Sequence, residues 1–464
     1  MRYISTRGQA PALPFEETLL AGLALDGGLY VPDALPKLTS QDLAALVGAP
    51  YEAVAHRVML PFVEGTVDPD DFRAMIDAAY EGFGHKLRCP LAQIGPNDWV
   101  LELHHGPTLA FKDVAMQLIG RLFEYVLARR NERVTIVGAT SGDTGSAAIE
   151  AFRGNVRADV FILFPHGRVS EVQRRQMTTP VEENVHALAV EGDFDDCQAL
   201  VKAMFNDQAF RQEVALGAVN SINWARVMAQ TVYYVTAALA LGAPDRRVSF
   251  SVPTGNFGDI YAGHIARGMG VPIDRLINAT NENDILHRCL TTGRYARAGV
   301  VQTTAPSMDI QVSSNFERAL FDAHDHDAYA VRDLMSDLAE TGGFTVGANA
   351  LGRLRAGFDS ARVSQAETAE TIARIHGETG QLLDTHSAIG VHAAGQLRGD
   401  PAVPMVSLAC AHAAKFPDAV EAASGVRPSL PARMADLYER AERMTVVPND
   451  LAAIQALMTR RRTA

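Results

Sequence analysis

Cysteine is scarce in this chain: four residues in 464, at positions 89, 197, 289 and 410, with no C-x-x-C pair. Such spacing excludes a disulfide framework or a structural zinc site and fits a reducing interior. Positive charge is also short, the formal net charge being −12. An acidic balance argues against nucleic-acid and anionic-membrane partners, but it leaves room for local basic pockets that suit small phosphorylated substrates. No long apolar run stands near the start, where Glu16, Glu17 and Asp26 interrupt LLAGLA, so a signal peptide is not expected. The most apolar helical run, VMAQTVYYVTAALALGA (227–243), is short and carries Gln230, Thr231 and Thr236, which predicts a buried helix and not a membrane span. The cytoplasm is the expected compartment. G-x-G-x-x-G, G-x-x-x-x-G-K-[ST], H-E-x-x-H and G-x-S-x-G are all missing. Dinucleotide, P-loop, zinc-protease and serine-hydrolase readings lose their main support with them. The sequence carries no signal for an oligomeric state.

What is present is an alternation. VTIVG (134–138), VFILFP (160–165), VHALAV (185–190), VSFSVP (248–253) and VPMVSL (403–408) read as strands, with helical patterns between them. Continuous apolar strands separated by helices predict an α/β class with parallel sheets covered on both faces. Residues 1–95 differ, with helical patterns such as YEAVAHRVMLPFV and PDDFRAMIDAAYEGF. A small, mostly helical N-terminal domain over 1–95 and a catalytic region over 96–464 is the simplest division, with Lys86–Val100 as a connection. The final forty or so residues suggest only amphipathic packing helices.

Four segments could carry chemistry. In HHGPTLAFKDVAMQLIG, Lys112 falls at the start of a helical pattern. There the helix dipole disfavours a cation, and apolar neighbours add desolvation. Either its stem packs while the ammonium reaches water, or a neutral nucleophilic amine is wanted. Two glycine-rich loops follow strands and open helices: Ser141-Gly142-Asp143-Thr144-Gly145 and Gly255-Asn256-Phe257-Gly258-Asp259. Both would present backbone N–H groups to an anion, unless they are only well-capped turns. The segment VNSINWARVMAQ offers Asn220, Ser221, Asn223 and Arg226, a set of amide, hydroxyl and guanidinium groups suited to a phosphate dianion or to helix capping. FDAHDHDAYA imitates a metal cluster, but its alternating residues point in different directions, and no metal site is expected.

Together YISTRG (3–8), DGGLYVP (26–32), HGPTLAFKD (105–113), ATSGDTGSAA (139–148), NSINWAR (220–226), PTGNFGD (253–259) and PSMDIQVSSNFER (306–318) resemble the threonine synthase family, in order along most of the chain. The resemblance is to the branch with an extra N-terminal helical domain. It implies fold type II of the pyridoxal 5′-phosphate enzymes, similar to tryptophan synthase β, with two α/β lobes and the cofactor between them. By that resemblance Lys112 attaches covalently to the cofactor. Gly255, Asn256, Phe257 and Gly258, with Asp259 at the edge, form the cup for its phosphate. Ser141, Gly142 and Thr144 hold the substrate carboxylate, Asp143 faces the cofactor ring, and Asn220, Ser221 and Arg226 meet the substrate phosphate. The implied reaction converts O-phospho-L-homoserine and water to L-threonine and phosphate.

Two departures from the family pattern lie in ACAHAAKFPDAV, where Cys410 and Ala413 stand in place of a threonine and a proline. Cys410 is expected by the cofactor's pyridine nitrogen, where a thiol with an ordinary pKa of about 8.5 donates only weakly. Asp143 is acidic where more distant relatives carry asparagine. The alternatives are another lyase of the same fold, such as a serine or threonine dehydratase or a cysteine synthase, and a non-catalytic ligand-sensing relative.

Overall fold

Val-, Ile- and Leu-rich strands with no polar face must be covered on both sides, and the computed structural model, which describes residues 1–217 and 221–462, covers them as two sheets. The smaller sheet has five strands, in the order Thr445–Pro448, Val185–Glu191, Ala158–Pro165, Val134–Ala139, Leu216–Gly217, all parallel. The larger has six, in the order Asp359–Arg362, Ile273–Thr280, Val248–Pro253, Met405–Ala409, Asp98–Glu102, Leu91–Gln93. It is parallel except for the last pair. The two-lobed α/β expectation holds.

Two expectations are corrected, and one further strand was not read from the sequence. The stretch 86–100 is more than a connection, because Asp98–Glu102 runs inside the larger sheet, with Val100 and Leu101 fully buried. Asp98 and Glu102 at its ends, and Pro96-Asn97 before it, broke the apolar run that would have marked it. The C-terminal stretch supplies the edge strand Thr445–Pro448 as well as the helix Leu451–Arg461. Ile273–Thr280 is a full strand of the larger sheet, although Asp274 and Arg275 interrupt its pattern.

The N-terminal part carries the helices Phe15–Ala21, Ser40–Leu46, Tyr51–Val63 and Pro69–Tyr80, plus a small antiparallel pair, Tyr3–Ser5 with Tyr30–Pro32. Its core runs into that of the larger body through the helix Trp224–Ala240, whose Trp224 packs against Tyr3 and Phe62. That helix takes up most of the run expected to be buried and begins three residues before it, and all but two of its residues are buried. No helix among the described residues is long and apolar enough to cross a membrane.

One buried cation ties these parts together. Arg318 is fully buried and donates to Tyr30 O at 3.1 and 2.9 Å, to Ile222 O at 2.6 Å, and to the Asn315 side chain. Burial pulls its pKa down to about 10. Arg318→Met removes both donors from the buried Tyr30 carbonyl, which costs about 1–3 kcal/mol. A lower urea midpoint, only partly recovered in Arg318→Lys, is the expected result; an unchanged midpoint would contradict this role.

Candidate active site

Lys112 is held by the backbone on both sides. Leu109 turns the chain at φ 63°, a left-handed conformation. The N–H of Phe111 then donates to Cys410 O at 2.7 Å, and that of His412 to Leu109 O at 3.0 Å. The lysine helix, Lys112–Arg130, therefore starts from the carboxyl end of the central strand Met405–Ala409. Ligand sites of open α/β sheets gather at such ends. Behind the lysine, Asp113 accepts from the N–H and hydroxyl of Thr108 at 2.8 and 2.6 Å. Gly106 is required there, since a Cβ would lie 2.4 Å from that of Asp113.

Of the two fates the sequence left open, the structure shows burial: Lys112 is 7% exposed. Burial first, then the cations Lys415 and Arg226, lower its pKa, against the opposing pull of Asp143. Its Nζ lies 3.5 Å from Asp143 Oδ2. The other oxygen of Asp143 takes Lys415 Nζ at 2.9 Å and Gln173 Nε2 at 2.9 Å. Burial alone would raise the Asp143 pKa, but Lys415, Lys112 and the Gln173 hydrogen bond outweigh it and hold the carboxyl well below the ordinary range.

The loop Gly255–Gly258 follows the strand Val248–Pro253 and opens the helix Gly258–Met269. None of its four N–H groups has an acceptor among the described residues. Phe257 is left-handed at φ 62° and buried against Phe316 and Phe358, which fixes the loop's curvature. A Cβ on Gly255 would lie 2.7 Å from Ser307 O. From outside, Asn315 clamps the loop, giving its N–H and its side-chain amide to Asn256 O, both at 3.0 Å. That amide also reaches Ser221 O at 3.0 Å, so the loop and the NSINWAR segment share one clip. Free N–H groups at a helix N-terminus, bounded by glycines that admit no side chain, form a cradle for an anion such as a phosphate.

In the other loop, the N–H groups of Ser141, Asp143 and Thr144 are free among the described residues, whereas that of Gly142 donates to Thr140 Oγ1 at 2.9 Å. Gly142 sits at φ 139°, and a Cβ there would collide with Gln173. Arg226, in the first turn of Trp224–Ala240, is 4% exposed, and its guanidinium makes no hydrogen bond or ion pair among the described residues; its Nε is buried without a partner there. Burial draws its pKa down to about 10. A buried guanidinium without a partner among the described residues suits an anion. Asn220 lies outside the described residues.

Asp259 is the one cup residue that turns elsewhere. Its carboxylate accepts from Tyr233 and Tyr234 hydroxyls at 2.5 and 2.9 Å, and its second oxygen is buried without a partner. Burial raises its pKa from 3.8 to about 6 despite both hydroxyls. With the folded value raised, stability from this carboxyl is present at low pH and lost as pH rises through about 6. Above that, the ionised group costs on the order of 3 kcal/mol. Cofactor-free Asp259→Asn protein should therefore unfold at higher temperature than the parent at about pH 8, with the gap closing near pH 4. A gap independent of pH would refute this account.

Cys410 is placed by Ser387, whose Oγ accepts the Cys410 N–H at 2.9 Å. Ser387 in turn bonds Asp384, which also accepts from His386 Nδ1 at 2.8 Å. Burial pushes the Cys410 thiol well up, so it stays a neutral, weak donor. Sequence reasoning did not single out Lys415, Gln173, Asn315, Asp384, His386 or Ser387. Lys415 had one signal, a lone cation in the apolar stretch ACAHAAKF; Gln173 had none. Around FDAHDHDAYA, Asp322 accepts from Tyr261 and faces His264 and His326, and no three-ligand metal group occurs among the described residues.

Three family models match in series: threonine synthase N terminus over residues 2–80, pyridoxal-phosphate dependent enzyme over 86–350, and threonine synthase, C-terminal, over 387–458. A curated relative, the threonine synthase of Pseudomonas aeruginosa, is 57% identical over 460 residues, 99% of this chain and 98% of its own. The crystal structure of pyridoxal-phosphate-bound threonine synthase from Brucella melitensis superposes with a TM-score of 0.98 at 57% identity, covering all of both chains. That of yeast threonine synthase gives 0.94 at 39% identity, over 99% of this chain and 98% of that one.

Proposed function

Since the chain belongs to the threonine synthase family of pyridoxal-phosphate-dependent enzymes, we propose that it converts O-phospho-L-homoserine and water to L-threonine and phosphate, with Lys112 as the residue that carries the cofactor. The observation that supports this most is the meeting in one interior of a buried, neutral-leaning amine, a cradle of free N–H groups and an unpartnered guanidinium. We take residues 1–95 as the N-terminal unit, 96–464 as the catalytic region, and the cytoplasm as the compartment.

The residues present fit pyridoxal phosphate: Lys112 offers the amine, and Gly255–Gly258 a place for the phosphate. The bound cofactor supplies a conjugated system that accepts the electrons left when a proton leaves the substrate's α carbon. Everything else falls to this chain. Lys112 would hold the cofactor, and its amine would take the α proton and later return it. Ser141, Gly142 and Thr144 hold the substrate carboxylate, so the bond to that proton faces the lysine. Asp143 would stand on the ring side of a bound cofactor, and the neutral Cys410 thiol would serve its ring only as a weak donor. Once the β proton has also left, phosphate departs from the γ carbon towards Arg226, Ser221 and Asn220, which stabilise its growing charge. Water then adds at the β carbon. Because water must be excluded early and admitted late, one lobe closes on the other during turnover.

The test is one assay of purified protein with pyridoxal phosphate and O-phospho-L-homoserine, quantifying phosphate and threonine together. Equimolar release is expected. Phosphate accompanied by 2-oxobutyrate would mean elimination without water addition, and no release of either product would overturn the assignment.

A further inference from the structure

Lys415 is the one lysine besides Lys112 whose side chain is buried, and it is completely so. It ends the short helix Ala413–Lys415 just past the central strand. Its ammonium has two partners, Asp143 Oδ1 at 2.9 Å and Thr108 O at 2.8 Å. Asp143 is thus shared between two lysines, closely paired with Lys415 at 2.9 Å and more loosely with Lys112 at 3.5 Å. Gln173 holds the same carboxylate oxygen as Lys415. A buried lysine at full ion-pair distance from an acid beside the reacting amine is an expensive arrangement for packing alone.

We propose that Lys415 is a positioning residue, acting through Asp143: by pairing with that carboxylate it leaves the Lys112 amine beside a neutralised acid, so that the amine remains the free nucleophile. The proposal rests on Lys112 being the residue that carries the cofactor. Without Lys415, Asp143 would present an unbalanced negative charge to Lys112 and favour its ammonium form. Without Asp143, Lys415 would present an unbalanced positive charge and disfavour it. The other charged or titratable groups facing Lys112 are Arg226 and Asp259, on the helices Trp224–Ala240 and Gly258–Met269, and Cys410 at the end of the central strand. His386 bears on Asp143, and Asp113 on Lys415. All of these stay in place in the variants below.

The step that reads this balance is condensation of Lys112 with the cofactor aldehyde. The neutral Nζ attacks the aldehyde carbon, a C=N bond forms, and the oxygen leaves as water. Full-length protein stripped of cofactor is mixed with pyridoxal phosphate across a pH series, and the rate is followed by visible absorbance. In Lys415→Met the pH midpoint of the rate moves up by roughly one pH unit or more, a condensation about ten-fold slower below the midpoint. In Asp143→Asn it moves down. Lys415→Arg, and the double variant Asp143→Asn/Lys415→Met, return towards the parent. Opposite shifts in the two single variants would establish charge balance; shifts in one direction, or none, would overturn the proposal. Should Lys415→Met fail to fold, Asp143→Asn and the double variant carry the test, because the midpoint must fall in the first and recover in the second. No condensation in the parent protein would instead fail the reading of Lys112 itself.

Discussion

A Lys112→Ala enzyme forms threonine at least roughly a thousandfold more slowly than the parent, the scale set by loss of a positioned acid–base group. The reason lies in how uncommon its amine is in this interior. Lys112 stands at a helix N-terminus, where the backbone dipole opposes a cation, and burial works in the same direction. Both push it towards the neutral amine, which is the form that attacks an aldehyde and accepts a proton from carbon. Lys415 cannot stand in, since its Nζ is already committed to Asp143 and to Thr108 O. Borohydride reduction followed by intact-mass measurement should add one cofactor to the parent and none to the variant. A variant that turns over normally would sink the assignment.

Arg226→Met gives the second large effect, and in two directions. Catalytic efficiency on O-phospho-L-homoserine falls by about a hundredfold or more, since a preorganised charged donor on the departing group is worth that much. Binding of pyridoxal phosphate, read by its visible absorbance, stays near the parent's, because the cofactor cradle is a different loop. Stability of the cofactor-free protein should meanwhile rise by about 1–3 kcal/mol, as a buried, unpartnered cation is replaced by a packed apolar chain. Arg226→Lys recovers efficiency only in part, because an ammonium is a point charge and cannot grip two oxygens in parallel. Activity kept, or stability lost, would each contradict the role.

How much of this the sequence exposed depended on whether a feature is made locally. The strands containing 134–138 and 160–165 were legible because every residue in those two runs is apolar or β-branched enough to sit between two covered faces. Asp98–Glu102 was not, since its register in the sheet is imposed by Met405–Ala409, far along the chain. The same holds at the site. Lys112 stood out because a cation at a helix start is wrong on local grounds. The glycine loops stood out because strand, turn and helix follow one another. Lys415 and Gln173 were passed over because nothing near them in the chain says they will meet Asp143. The tyrosines that hold Asp259 were visible only as apolar periodicity in a buried helix.

The position of Met405–Ala409 between Val248–Pro253 and Asp98–Glu102 has a consequence for how the protein comes into being. Synthesis delivers the two flanks of that sheet long before the strand that joins them. Until nearly the whole chain has left the ribosome, Lys112 has no Cys410 carbonyl to anchor the residue before it and no Lys415 beside Asp143. The smaller sheet waits as well, its edge strand Thr445–Pro448 emerging later still. The site is therefore assembled after translation, all at once, and a nascent chain halted near residue 400 would hold both glycine loops yet have no means of setting the lysine between them.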